Sequence, residues 1–346
     1  MRVAIITDQH FGCRKNSKIF HDYFLDFYNN VFFPYLEENG ITTVIDMGDT
    51  FDSRKGIDFS ALAWAKDNYY DRLRDMGVTV HTIVGNHTAY YKNTNKVNAV
   101  DLLLREYDNV DVYDTASEVT IGNLNILFIP WINKENEENT FRFIRDSTCT
   151  VAMGHLELNG FKVNKAIVMD CGDDSKLYSK FSKVFSGHYH TRSDNGRIFY
   201  LGNPYEMFWT DVGDPRGFTV FDTCTQEHFH VDNPYNLFNV LYYDDQPASL
   251  IDTRPYENKI VKVVVRNKSR IDEFEKLIDK LYSSNVHELK IVEDFQIQES
   301  EDFEVEESED TFSILDRYIE ESETELDKSV VQNLLREIYQ EACEMV

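Results

Sequence analysis

The sequence predicts an α/β protein in which two packed β-sheets carry helices on their outer faces. Three observations predict it. Over the first 125 residues, short apolar runs alternate with segments of three- and four-residue apolar spacing, the pattern of strands alternating with helices. From 117 to 231 the apolar runs are strand-like and closely spaced, which predicts a second sheet packed on the first. Five of the runs end in Asp, Asn or His, usually after a glycine. Polar groups therefore gather at the carboxyl edge, where strands of an α/β sheet bind ligands.

Val3–Thr7 reads as the first strand. Phe20, Phe24, Phe27, Tyr28, Val31 and Tyr35 fall on one helical face, and Asn39-Gly40 stops that helix. The apolar run 43–47 is a second buried strand. A helix near 59–76, closed by Gly77, and strand Val78–Val84 follow. Val97, Val100, Leu103 and Leu104 predict a short helix near 97–106, ahead of strand Val110–Tyr113. The second sheet is expected from Glu118–Ile121, Leu124–Pro130, Thr150–Met153, Lys183–Ser186, Ile198–Leu201, Phe218–Phe221 and Glu227–Val231. These elements make a first domain over 1–235. Asn233-Pro234 opens a polar stretch, 236–258, that reads as a linker. Ile260–Val265, a helix through Ile271, Phe274, Leu277, Ile278 and Leu281, and Val286–Val292 form a small βαβ cap domain over 259–292. Residues 293–310 hold ten acids and no base and read as a solvated linker. Two amphipathic helices follow within 311–346, one marked by Phe312, Leu315 and Ile319, the other by Val330, Val331, Leu334, Leu335 and Ile338. They cannot bury both faces alone, so they either fold back or dock a partner.

The chain has 346 residues, 42% hydrophobic and 14% aromatic, enough for a folded core and more than one domain. No apolar run approaches a membrane span and the N-terminus runs straight into a strand, so a cytoplasmic protein without membrane contact is expected. Cys13, Cys149, Cys171, Cys224 and Cys343 are odd in number and scattered, which argues against a disulfide framework or a thiolate zinc site. The net charge of −26 opposes a general phosphate-binding surface. Residues 291–346 hold 19 acids and 3 bases, against 42 and 32 in the rest, so any nucleic-acid contact must be local, metal-assisted or shared with a basic partner.

The five strand ends supply the chemistry. Asp8-Gln-His10, Gly48-Asp49, Gly85-Asn-His87, Gly154-His155 and Gly187-His-Tyr-His190 bring Asp8, His10, Asp49, Asn86, His87, His155, His188 and His190 to one edge. A carboxylate at the end of a central strand can bridge two metal ions about 3.5–4 Å apart, and Asp49 is so placed. The others complete two shells of mixed oxygen and imidazole donors. That mix suits manganese, iron or zinc and is too nitrogen-rich for magnesium or calcium. Two such ions would activate a water between them near neutral pH and neutralise phosphate oxygens during in-line attack on phosphorus. His87 directly follows Asn86, so its ring is expected to face the substrate and give a proton or a hydrogen bond to the departing oxygen. Each pair alone is commonplace, and His21, His81, His228 and His230 read as ordinary structural histidines; the set of five, in this order, is specific.

Together the five motifs resemble the calcineurin-like metallophosphoesterase superfamily over about residues 1–230. Gly48-Asp-Thr-Phe-Asp-Ser-Arg-Lys55, Gly154-His-Leu-Glu-Leu-Asn-Gly160 and Asp214-Pro-Arg-Gly-Phe218, with the cap and the two-helix tail, more narrowly resemble the nuclease subunit of the SbcD, or meiotic-recombination-eleven, family, and within it the short bacteriophage members. The resemblance implies the metallophosphoesterase sandwich and two divalent metals, manganese in that family. It implies that Asp8, His10, Asp49 and His190 hold one ion, that Asp49, Asn86, His155 and His188 hold the other, and that His87 is the catalytic histidine. It further implies 3′-to-5′ exonuclease action on duplex DNA and endonuclease action on single strands, in end processing, recombination and repair. The implied partners are DNA, a second copy in a homodimer, and an SbcC-type SMC-like ATPase gripped by residues 311–346, in the host cytoplasm for a phage-encoded member. Two departures stand out. Where the family writes Gly-Asn-His-Asp, Thr88 follows His87 here, and a neutral side chain is expected to orient or charge the histidine less well. Asp52 stands where some members carry a histidine. The alternatives are a small-substrate metallophosphoesterase and a DNA-end-binding scaffold with weak nuclease activity.

Overall fold

The computed structural model describes residues 1–165 and 167–293 and, in the tail, Lys328, Val331, Gln332, Leu334 and Leu335, which are helical. Apart from Glu293, the acidic linker 293–310 lies outside the described residues, as does the rest of the helix pair expected over 311–346.

Strands β1 (Arg2–Ile6), β2 (Thr43–Asp46) and β3 (Thr79–Ile83), a hairpin of β4 (Ala89–Tyr91) and β5 (Thr94–Asn98), and β6 (Val110–Tyr113) come first. They lead into β7 (Ser117–Ile121), β8 (Leu124–Ile129), β9 (Val151–Gly154), β10 (Lys183–Ser186), β11 (Ser193–Asp194), β12 (Ile198–Tyr200), β13 (Gly217–Asp222) and β14 (His228–Asp232). Two six-stranded sheets result, in the orders β14-β13-β1-β2-β3-β6 and β11-β12-β10-β9-β8-β7. In the first, β1, β2, β3 and β6 are parallel. In the second, β8, β9, β10 and β12 are parallel. Each sheet therefore collects its carboxyl ends along one edge.

Alternation along the strands sorts side chains between two faces. Val3, Ile5, Ile45, Met47 and Ile83 meet Ile126, Phe128, Val151, Met153 and Phe185 in a core between the sheets. Their neighbours Ala4, Ile6, Val44 and Val80 face a helical layer instead, and Leu127, Ile129, Ala152 and Val184 share a third cluster with Ile144 of the helix Glu137–Asp146. The helical layer on the first sheet begins with Lys18–Phe27, which passes through a π turn at Tyr28–Phe32 into Phe33–Glu38. Its buried face is aromatic, and Phe24 stacks on Tyr205 with ring centres 3.6 Å apart. Gly40, at φ +61°, ends the helix by turning its own N–H and that of Ile41 back to the carbonyls of Glu37 and Leu36.

Three expectations need correction, and one helix carries no clear sequence signal. Val97 lies in β5, because residues 89–98 form a hairpin in which Tyr91 pairs with Thr94; the helix starts only at Ala99, capped by the Asn98 side chain on the Asp101 N–H. The strands read at Phe218–Phe221 and Glu227–Val231 belong to the first sheet, not the second: β13 lies antiparallel beside β1, with Val3 opposite Phe221. A pairing between residues so far apart leaves no local signal. The helix Glu137–Asp146 went unread, since its polar outer face outweighs the buried Thr140 and Ile144. Finally, the stretch 236–258, expected as a linker, holds strand β15 (Phe238–Asp244), where Phe238, Leu241 and Tyr243 are buried. With β16 (Ile260–Asn267) and β17 (Glu288–Glu293) it makes a three-stranded sheet in that order, so the expected βαβ cap gains a strand.

The described chain divides into two compact units. One holds Met1–Val240, Asp252–Lys262 and Asp279–Lys290; the other is built on Leu241–Ile251 and Val263–Ile278 and resumes at Ile291. Inside the second, Tyr243 packs on Phe274 at 5.2 Å and the Arg266 guanidinium lies over the Tyr242 ring. No helix among the described residues is long and apolar enough to cross a membrane.

Candidate metal centre

Asp8 and His10 follow β1, Asp49 follows β2, Asn86 and His87 follow β3, His155 follows β9, and His188 and His190 follow β10. Both sheets therefore contribute at their carboxyl edges. The local backbone is unusual: Asp8, His10, Asp49 and His188 all have positive φ, at 52°, 46°, 51° and 83°. Non-glycine residues so placed cost about 1–3 kcal/mol each and persist only where their surroundings impose them. Here the Asp8 N–H donates to the Gly48 carbonyl at 3.0 Å and the His10 N–H to the Asp49 carbonyl at 2.9 Å. The motif glycines make room. A side chain at Gly85 would occupy the Asp49 carboxylate, and one at Gly187 would meet the Thr7 hydroxyl and the Asp8 carboxylate.

Two donor groups form beside a third, made by His10, Asp52 and His87. Asp8, His10 and His190 offer ligand atoms within 4.8 Å of one another, and so do Asp49, His155 and His188. Asn86 completes the second group: its Oδ1 lies 2.9 Å from His155 Nε2 and 3.1 Å from His188 Nδ1. The tautomers can be read from the outer contacts. His155 Nδ1 donates to the Met47 carbonyl at 2.9 Å, which turns the Nε2 lone pair toward Asn86 Oδ1 and toward Asp49 Oδ2 at 3.1 Å. His10 Nδ1 donates to Asp52 Oδ1, and its Nε2 faces His190 Nε2, each contact 3.2 Å. Lone pairs converging without a donor between them repel unless a proton or a cation sits among them. Oxygen and imidazole donors so arranged fit divalent transition metals.

In the metal-free chain the electrostatics divide the histidines. Burial pulls the His155 ring down, but the Asp49 carboxylate more than offsets it, and the ring is held up to about 9. Burial and then His155 push His188 down to about 3, and burial and then His10 push His190 well below its usual range, so both stay neutral, as ligands must be. Asp49 is fully buried, which alone would raise its carboxyl, yet the surrounding imidazoles hold it far below the usual range.

His87 sits beside this cluster, its ring 4.9 Å from that of His10. Its N–H donates to Asp49 Oδ1 at 2.8 Å and its Nδ1 to the Asp52 carbonyl at 2.7 Å, which fixes the ring. Thr88 turns to its own loop, not to the His87 ring. Its buried hydroxyl accepts from the Gly85 N–H at 3.0 Å and donates to the Gly85 carbonyl at 3.1 Å, closing the loop that carries Asn86 and His87. The orienting residue is Asp52, whose carboxylate holds His10 while its carbonyl holds His87; its place in the run Gly48–Lys55 was the available signal. Other contacts went unread. Arg54 donates to the Asn86 carbonyl at 2.9 Å, Trp131 lies 5.1 Å from the His188 ring, and Phe208 stacks on His190. His21, His81, His228 and His230 join no metal-type group among the described residues, and His21 stacks on Trp64 instead.

A double sheet whose facing carboxyl edges gather these donors defines a metallophosphoesterase. Residues 1–192 match the family model of calcineurin-like phosphoesterases, and the chain belongs to that family, whose members bind divalent metals. More particularly, it is 33% identical over 293 residues to exonuclease subunit 1 of Enterobacteria phage T4, covering 84% of each chain. Among solved structures, an archaeal phosphodiesterase aligns at 11% identity over 67% of this chain and 100% of its own, with a TM-score of 0.35. Nuclease MPE of Pseudomonas putida aligns at 18% identity over 58% and 67%, with a TM-score of 0.29.

Proposed function

We propose that this phosphoesterase is a DNA nuclease, degrading duplex ends 3′-to-5′ and cutting single strands, as the nuclease subunit of a complex with an SMC-like ATPase. The observation that carries the reading is the match to the phage T4 exonuclease subunit. It runs over 293 residues, whereas the phosphoesterase model covers 1–192, so it extends well past the catalytic fold into the part that a small-substrate phosphoesterase would not need.

In this reading Asp8, His10 and His190 would hold one ion and Asn86, His155 and His188 the other, with Asp49 as a further donor. The two ions, manganese for preference, supply Lewis-acid neutralisation of the phosphate oxygens and a lowered pKa for water. The chain's own groups do the rest. Gly85 and Gly187 leave the donors room, and Asp52 holds the His10 ring. With its Nδ1–H committed to the Asp52 carbonyl, His87 in its doubly protonated form gives its Nε2 proton, or a hydrogen bond from it, to the departing oxygen and returns to the neutral Nδ1–H ring. Residues 259–292 act as a cap near DNA, and residues 311–346 dock the ATPase. The nuclease domain forms a homodimer, working in the cytoplasm of the host.

The test is cleavage of linear duplex and single-stranded DNA by the purified full chain with manganese, magnesium or chelator, with Asp49→Asn as the blank. Manganese-dependent release of nucleotides, missing from the blank, is expected. Turnover of a small phosphoester with DNA left intact would overturn the nuclease reading. Deleting 311–346 should abolish ATPase binding and spare basal cleavage; full binding by the truncated chain would end the docking assignment.

A further inference from the structure

The loops bearing Asp8, His10 and Asp49 rest on a buried polar hub outside the metal-binding motifs. Asp46, the last residue of β2, and Gln9, between Asp8 and His10, are both fully buried. The Asp46 carboxylate accepts from Gln9 Nε2 at 2.9 Å, from the Thr50 hydroxyl at 2.6 Å and from the Gly48 N–H at 3.2 Å. Gln9 is held from behind as well: its Oε1 accepts from the Tyr28 hydroxyl and its carbonyl from the Tyr205 hydroxyl, each at 2.6 Å. Three donors reach Asp46 and, among the described residues, no cation pairs with it, so hydrogen bonds alone offset the burial of its carboxylate. Such a group is costly unless every contact is in place. One end of the hub is the loop after β1 and the other is the loop after β2. The three donor residues on those loops all sit at positive φ, a conformation they would leave if released.

We propose that Asp46 is a positioning residue for the metal centre: by gripping Gln9, Gly48 and Thr50 together, it sets the separation of Asp8 and His10 on one loop from Asp49 on the other. The proposal rests on reading those three residues as metal donors. Burial lifts the Asp46 carboxyl to about 7, and its three partners all donate, so the ionised form is the one they fit. Asp46→Asn places an NH2 group against two donors. A coupled change repairs the contact: in Gln9→Glu/Asp46→Asn, the new amide donates to the Glu carboxylate, the Tyr28 hydroxyl still donates to that carboxylate, and the Asn oxygen still accepts from Gly48. One buried carboxylate is present in either arrangement.

The experiment is manganese titration by calorimetry of the full chain at pH 8, with melting temperature measured in chelator alongside. Partners that orient metal ligands carry about 10–100-fold in affinity, and Asp46 acts one residue further out, so D46N should bind about tenfold more weakly. The Q9E/D46N pair should recover most of that loss. Thr50→Val, which removes one donor and keeps the charge, should weaken binding by less and serves if D46N does not fold. A merely structural hub would lower the melting temperature and leave manganese affinity at the wild-type value in all folded variants, which would overturn the proposal. So would a double variant no better than D46N. If the wild-type chain itself binds no manganese, the donor assignment falls and takes the proposal with it; that outcome is distinct from wild-type-like binding by D46N.

Discussion

Replacing Asp52 with alanine should separate two contacts that one residue makes. The side chain accepts from His10 Nδ1 at 3.2 Å, whereas the carbonyl that holds His87 at 2.7 Å belongs to the backbone and survives the change. The affected quantity is therefore metal affinity and not the chemistry of the histidine. Partners of this kind carry about 10–100-fold in affinity. The Asp52 side chain is 36% exposed, so water can replace the carboxylate and already screens it. The loss should sit at the low end, about tenfold or about 1.4 kcal/mol. The assay is a manganese titration read twice, by calorimetry and by the rate of DNA cleavage. One binding step should weaken, the other should hold, and saturating manganese should restore kcat. Unchanged affinity would refute the role given to the carboxylate. A kcat that stays low at saturation would show that the side chain serves His87 after all.

The His87 ring, the Thr88 hydroxyl and the His155 ring can each be tested on the same geometry. His87→Ala keeps the backbone N–H that donates to Asp49, so manganese binding should stay intact while kcat falls by about 10²–10⁴-fold; a small drop would remove the ring from proton transfer. Thr88→Val leaves the Gly85 N–H unpaired in a buried site and should cost about 1–3 kcal/mol in denaturant unfolding, and Thr88→Asp should bring no gain in turnover, since position 88 serves the loop and not the ring. A large gain in Thr88→Asp would contradict that. In the metal-free chain, burial lowers the His155 ring and Asp49 more than restores it, to about 9 against an ordinary 6.5. This contribution to stability is full below pH 6.5 and is lost as pH rises through 9, so chelated protein should melt progressively lower across that window, and His155→Gln should lack this component. Manganese binding at pH 7.5 should release about one proton from that ring, measurable in buffers of different ionisation enthalpy; no release would mean that His155 is neutral beforehand.

The donors were legible in the sequence because each sits at a strand end, and a short apolar run followed by Gly and a polar residue is a local signal. Strands at Val110–Tyr113 and Lys183–Ser186 could be read to the residue for the same reason. What stayed hidden depends on contacts between distant segments. The polar residues of 236–258 conceal β15, whose buried positions make sense only beside β16. The pairing of β13 with β1 cannot be read from either strand alone. Nothing in the sequence says that the Thr88 hydroxyl turns to Gly85 or that the Asp52 carbonyl holds the His87 ring. Gln9 and Asp46 were passed over because burial of a polar side chain cannot be seen from its neighbours in the chain.

The position of β1 has a consequence for how the protein is made. It precedes the other described strands in the chain, yet it lies in the interior of its sheet, between β2 and β13. Its antiparallel neighbour is not synthesised until Gly217–Asp222. Contacts spanning such a length of chain form late and slowly. The donors divide the same way: His188 and His190 follow all the others by more than thirty residues of sequence. A product broken off before β10 would carry Asp8, His10, Asp49, Asn86 and His155 but neither His188 nor His190, and so would lack one donor of each group. The candidate metal centre is therefore complete only near the completion of the domain, and a shorter polypeptide would lack part of its donor set.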